Sequence, residues 1–202
     1  LDFSWSNDNR RDNEGAIYIL FLNSDGSVDS TVEVNSSTTN GPSLTTLDRF
    51  GAGVAGVGDL DGDGVEDIVV GAPLDDAGGS DRGAVHIMFM NSDGSVKSTV
   101  EINDNTTNGP VLSDGNRFGE SVADIGDLDG DGVNDLAVGA RNDHAIHLIF
   151  MNSDGSVKST VKIDTNTENG PNNSDYLGSG VAGINDLNGD RSEEHTSELQ
   201  SR

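Results

Sequence analysis

The chain has 202 residues, 36 of them acidic against 11 basic, for a net charge of −25. So acidic a surface disfavours nucleic acid and anionic membranes as partners and suits surroundings that supply divalent cations. Twenty-seven glycines, 4% aromatics and no long apolar run describe a turn-rich β protein without a transmembrane helix, and the absence of cysteine excludes disulfide staples and thiol chemistry.

Leu1-Asp2 matches Leu74-Asp75, so the chain is expected to start just after a segment like Gly71-Ala72-Pro73. The loop from Phe3 to Arg11 holds the only tryptophan, Trp5, beside Arg10 and Arg11, residue types that favour contacts when exposed, although a tryptophan packs under its own loop more often. A strand pair follows, with Tyr18 on its first strand and Asn23-Ser24-Asp25-Gly26 as its turn. Phe50 to Val57 reads as a glycine-rich first strand of a new unit.

Gly58-Asp59-Leu60-Asp61-Gly62-Asp63-Gly64-Val65-Glu66-Asp67 is the densest chemical signal in the chain. It recurs as Gly126-Asp127-Leu128-Asp129-Gly130-Asp131-Gly132-Val133-Asn134-Asp135 and begins again at Asn185-Asp186-Leu187-Asn188-Gly189-Asp190. Two carboxylates about 4 Å apart repel by roughly 4 kcal/mol at an effective dielectric near 20, so four in one turn call for a cation. Ca²⁺ takes oxygen ligands, and glycines let a tight loop aim alternate side chains at one point. The expected ligands are Asp59, Asp61, Asp63, the Val65 carbonyl and Asp67 in the first loop. Asp127, Asp129, Asp131, the Val133 carbonyl and Asp135 follow in the second, and Asp186, Asn188 and Asp190 in the third. An EF-hand needs a glutamate at the twelfth position and flanking helices. Val70 and Val138 stand there instead, inside short apolar runs that read as buried strands.

After the first acidic loop, Asp67 to Ala72 is the second predicted strand and Gly83 to Met90 the third. The turn Asn91-Ser92-Asp93-Gly94 leads to a half-exposed fourth strand, Ser98 to Ile102. The same order returns from Phe118-Gly119 onward, with Asn-Ser-Asp-Gly-Ser-Val at 23–28, 91–96 and 152–157 and Asn-Gly-Pro at 40–42, 108–110 and 169–171. A period of about 60 to 68 residues filled with strand signals points to a β-propeller of four-stranded antiparallel blades. The expected repeats are about 1–49 (partial), 50–117, 118–176 and 177–190 (partial), all within one domain, 1–190. Residues 191–202 begin RSEEHTSELQS, unlike anything upstream, and match the translation of a common short-read sequencing adapter. The join falls where the repeat calls for glycine after Asp190, so Glu193, Glu194 and His195 carry no functional weight.

Phe50-Gly51 and Gly71-Ala72-Pro73 with an acidic loop between them resemble the FG-GAP repeat of the integrin α-subunit propeller. The second copy has Phe118-Gly119 and Gly139-Ala140 but Arg141 in place of proline, and the third has Leu177 for phenylalanine. The resemblance implies an all-β, seven-bladed propeller with Ca²⁺ in loops on the lower face of some blades. Residues 1–190 would then be part of such a domain, with exposed blade faces that make it fold poorly alone.

His86 and His147 occupy matching positions on the third strand and read as packing, while His144 lies in a turn. Asp75-Asp76 is a carboxylate pair without supporting pocket chemistry, and no nucleophile triad, phosphate loop or Cys/His cluster appears. The expectation is a non-enzymatic, Ca²⁺-binding propeller of a secreted or cell-surface protein, serving adhesion or recognition of a protein or carbohydrate ligand. The alternatives are an accessory propeller beside a secreted hydrolase or lyase domain, and a structural spacer.

Overall fold

A computed structural model describes residues 13–171 and 176–184, and the statements below concern those residues. The architecture is all-β. Strands β1 (Ile17–Leu22) and β2 (Val28–Val34) form one antiparallel pair. Strands β3 (Val54–Gly56), β4 (Ile68–Ala72), β5 (Ala84–Met90) and β6 (Val96–Ile102) form a four-stranded sheet in that order. Strands β7 (Phe118–Asp124), β8 (Leu136–Ala140), β9 (Ala145–Met151) and β10 (Val157–Ile163) form a second one, also in sequence order. All neighbours are antiparallel. These are propeller blades in the order expected from the repeat, preceded by the outer half of another.

Turn chemistry explains why the repeated Asn-Ser-Asp-Gly-Ser segment closes each outer hairpin. The Asp93 carboxylate accepts from the Ser95 N–H at 2.9 Å and the Ser95 hydroxyl at 2.6 Å, while Gly94 takes φ +81°. Aspartate thus bonds backbone two residues on and glycine supplies the left-handed step. Asp25 and Asp154 repeat the arrangement.

The second strand of each blade is buried throughout, IVVGA in β4 and LAVGA in β8, because it is covered on both faces. Ile68 and Val70 turn to the β1–β2 pair, where they meet Ile17, Ile19, Phe50 and Met88. Val69 turns the other way, into a core with Ile87, Phe89, Phe118, Val122 and Leu136. The period-two alternation of a strand therefore fills two inter-blade cores from one segment. His86 and His147 are almost completely buried and lie edge-on to Phe50 and Phe118, each at 5.5 Å between ring centroids.

The first strand differs from expectation. Phe50 to Val57 reads as one strand, yet β3 spans only Val54–Gly56. Phe50 lies outside its own sheet and bridges in parallel to Gly15 of the preceding repeat; Phe118 bridges to Gly83 in the same way yet stays paired with Ala140 in β7. Gly51, at φ +97°, then turns the chain back, its N–H reaching the Gly71 carbonyl at 3.0 Å. At the next joint, a methyl group on Gly71 would overlap the Gly119 carbonyl oxygen, and Gly139 stands in the same relation to Gly178. The Phe-Gly pair of one repeat is thus laid against the Gly-Ala pair of the repeat before it. On the outside, the Thr99 hydroxyl donates to the Asn40 carbonyl at 2.8 Å and the Thr160 hydroxyl to the Asn108 carbonyl at 2.9 Å. The Asn-Gly-Pro turns therefore fasten each blade to the outer strand of the next.

Candidate metal centres

The acidic segments link the first and second strands of each blade at one end of the sheets. A pair of backbone bonds closes the neck of the first loop, Val57 N–H to Asp67 O at 3.0 Å and Asp67 N–H to Gly58 O at 2.7 Å. The second loop closes through Ile125 N–H to Asp135 O at 3.0 Å and Asp135 N–H to Gly126 O at 2.8 Å. Inside, the Asp59 carboxylate accepts from Asp63 N–H at 2.9 Å and Gly64 N–H at 2.8 Å, and Asp63 accepts from Val65 N–H at 2.9 Å. Asp127 holds Gly130, Asp131 and Gly132 in the same way at 2.7, 2.9 and 2.8 Å.

Asp67 and Asp135 form the floor. Each is 1% exposed. Asp67 takes the Leu60 N–H at 3.0 Å and, across the blade, the Met90 N–H at 2.9 Å. Asp135 takes Leu128 N–H at 2.9 Å and Met151 N–H at 3.0 Å. Burial pushes both carboxyls above the usual aspartate range, against the pull of those backbone donors.

The structure gathers Asp59, Asp61 and Asp63 so that one carboxylate oxygen from each lies within 4.8 Å of the others, and likewise Asp127, Asp129 and Asp135. Asp67 and Asp131 border these clusters rather than joining them, and Val65 and Val133 sit half-buried in the loops. Asp186, Asn188 and Asp190 lie outside the described residues, as do Trp5, the 3–11 loop and the 191–202 tail. One Asp129 oxygen is buried without a hydrogen-bond partner, a position that suits a cation and is costly without one. The donor set is all carboxylate, the chemistry of a hard-cation site, so the residues present fit such an ion.

Two contributors were not anticipated from the sequence. Lys97 Nζ lies 2.6 Å from both Asp61 and Asp63, and Lys158 Nζ lies 2.5 Å from Asp129 and 2.8 Å from Asp131. These carboxylates raise both lysines above their ordinary range, and lysine bonding lowers Asp63 and Asp131. The sequence signal was the return of lysine at one place in two copies of the Asn-Ser-Asp-Gly-Ser-Val-Lys segment.

At the opposite end, the Asp75-Asp76 pair serves the 73–83 loop instead of a reaction. Asp75 accepts from Ala77 N–H at 2.7 Å, Asp76 from Asp81 N–H at 2.9 Å, and burial pushes the Asp75 carboxyl up to about 6. His144 caps a short 3₁₀ turn, Arg141–Asp143, which replaces the longer connection of the previous blade.

The FG-GAP repeat family matches residues 50–88, which run from Phe50-Gly51 through the first acidic loop and Gly71-Ala72-Pro73 into β5. The chain is an integrin α-like FG-GAP repeat protein. It is 36% identical to integrin alpha-PS5 of Drosophila melanogaster over 65% of this chain and 13% of the relative. It is 40% identical to integrin alpha pat-2 of Caenorhabditis elegans over 46% of this chain and 7% of the relative. Against integrin alpha-2 of Mus musculus the identity is 32%, over 50% of this chain and 8% of the relative. The FG-GAP chain thus spans about a tenth of the length of these curated relatives. Among its described residues no helix is long and apolar enough to cross a membrane.

Proposed function

We propose that this chain is part of a non-enzymatic, Ca²⁺-binding β-propeller of a cell-surface or secreted protein, acting in adhesion or recognition of a protein or carbohydrate ligand. Residues 1–190 belong to one propeller domain, with the 50–117 and 118–176 repeats each supplying a blade. The observation that carries the reading is the pair of equivalent all-carboxylate loops at the same end of successive blades. The similarity to integrin alpha chains supports the cell-surface setting.

Asp59, Asp61, Asp63, Asp67 and the Val65 carbonyl hold the first ion, and Asp127, Asp129, Asp131, Asp135 and the Val133 carbonyl the second. Ca²⁺ supplies positive charge that offsets carboxylate repulsion where the inner two strands of a blade meet. Asp67 and Asp135 couple each loop to the third strand through the Met90 and Met151 N–H groups. The role is structural, and extracellular modules of this kind bind with dissociation constants on the order of 10⁻⁴ to 10⁻³ M.

Calorimetric Ca²⁺ titration of the full-length protein tests the reading. Asp61→Ala and Asp129→Ala are each expected to delete one site and lower the melting temperature in Ca²⁺. Identical melting in Ca²⁺ and in chelator, with no saturable heat, rejects it. Glycan and matrix-protein arrays probed in Ca²⁺ test recognition, and a blank on both favours a spacer role.

A further inference from the structure

In each hairpin between third and fourth strands, one residue of the outer strand has no partner opposite it. Met90 faces Val96 and Phe89 faces Ser98, which leaves Lys97 as the extra residue. Met151 faces Val157 and Phe150 faces Ser159, which leaves Lys158. A β-bulge of this kind re-aims a side chain out of the regular alternation. Here it sends both ammonium groups to the acidic loop of their own blade, where each spans the carboxylates at the third and fifth loop positions. In the β1–β2 pair the bulged residue is Asp29, so the bulge belongs to the repeat and the lysine is a choice of residue within it.

The proposal below rests on the Ca²⁺ reading of the loops. We propose that Lys97 and Lys158 are resident counter-cations that compete with Ca²⁺ for Asp61 and Asp63 and for Asp129 and Asp131, and so set the affinity of each site. A Ca²⁺ ion sits about 2.3–2.6 Å from its oxygens, so it cannot share those carboxylates with an ammonium group without close like-charge repulsion. The lysine side chains are 40% and 41% exposed, and their flexible stems let the ammonium swing into water when the ion enters. Without Ca²⁺, one lysine per loop returns and offsets part of the repulsion, which keeps the inner strands joined. The loops then exchange one cation for another instead of collapsing when the metal leaves.

The test compares wild type, the Lys97→Met/Lys158→Met double variant and the Lys97→Arg/Lys158→Arg double variant of the full-length protein. Ca²⁺ affinity is read by calorimetry, and melting is read in Ca²⁺ and in chelator. The methionine variant is expected to bind Ca²⁺ about tenfold more tightly, the scale for removing a like charge that has swung into water and is screened by it, and to melt lower than wild type only in chelator. The arginine variant is expected to keep near-wild-type affinity. Unchanged or weaker binding by the methionine variant overturns the counter-cation role while leaving the Ca²⁺ reading intact. No binding by any of the three at millimolar Ca²⁺ overturns both.

Discussion

His86 sits on β5 in the core between the β3–β6 sheet and the β1–β2 pair, fully buried, with neither ring nitrogen hydrogen-bonded and its ring edge-on to Phe50. Burial alone pushes its pKa down to about 4 from an ordinary 6.5. Between those values the unfolded chain holds a proton that the folded chain refuses, so stability drains away as pH falls from about 6.5 to about 4. A shift of this size amounts to about 3 kcal/mol, all of it lost once pH is below the folded value. Buried carboxyls act in the opposite sense. Asp75, raised to about 6, takes up a proton in the folded state first as pH falls from about 6 towards 4, and Asp48 is raised in the same direction by its own burial. The wild-type profile is therefore a partly cancelling sum, and the informative quantity is the difference between wild type and His86→Leu, from which the carboxyls drop out. Leucine fills most of the space and removes two unpaired nitrogens. Hydrogen-exchange mass spectrometry on the β5 peptide of the full-length protein gives the local opening free energy at pH 7, 6, 5 and 4. The variant is expected to gain on wild type by about 3 kcal/mol between pH 7 and 4. A difference that stays flat across that range refutes the neutral, desolvated histidine.

Three further outcomes follow from named contacts. Gly71→Ala drives a methyl group into the Gly119 carbonyl and should cost about 1–3 kcal/mol at the blade joint, whereas Gly180→Ala meets open space and should be silent; thermal melting of the two variants decides. Asp67→Ala strands the buried Leu60 and Met90 N–H groups and should lower stability by about 1–3 kcal/mol for each, even in chelator. A loss seen only in Ca²⁺ would mean Asp67 acts through the ion alone. Thr99→Val removes the inter-blade bond to the Asn40 carbonyl and should cost about 0.5–1.5 kcal/mol, read as faster exchange in β6; no change would make that bond incidental.

Much of the fold was legible because the repeat carries its own turn chemistry. Asp93-Gly94 and its two copies announce hairpins, and the doubly buried runs IVVGA and LAVGA announce central strands. The acidic loops were legible because four aspartates at fixed spacing have few other uses. The short β3 was not legible, and the bridge from Phe50 to Gly15 in a different repeat is a contact that no local pattern encodes. The purpose of the Phe-Gly and Gly-Ala pairs was hidden for the same reason: Gly71 and Gly119 belong to different blades and meet only when the blades stack. Lys97 falls just before the expected strand Ser98 to Ile102 and was not anticipated as a contributor, because one-residue bulges leave no mark in a hydrophobic pattern.

Anomalous diffraction from crystals of the full-length protein grown in Ca²⁺ tests the central claim most directly, because it locates the ions themselves. The account predicts a peak in each acidic loop, about 2.3–2.6 Å from carboxylate oxygens of Asp59, Asp61 and Asp63 in one blade and of Asp127, Asp129 and Asp135 in the next. Empty loops in Ca²⁺-saturated crystals, with Lys97 and Lys158 still bridging their aspartates, would contradict it.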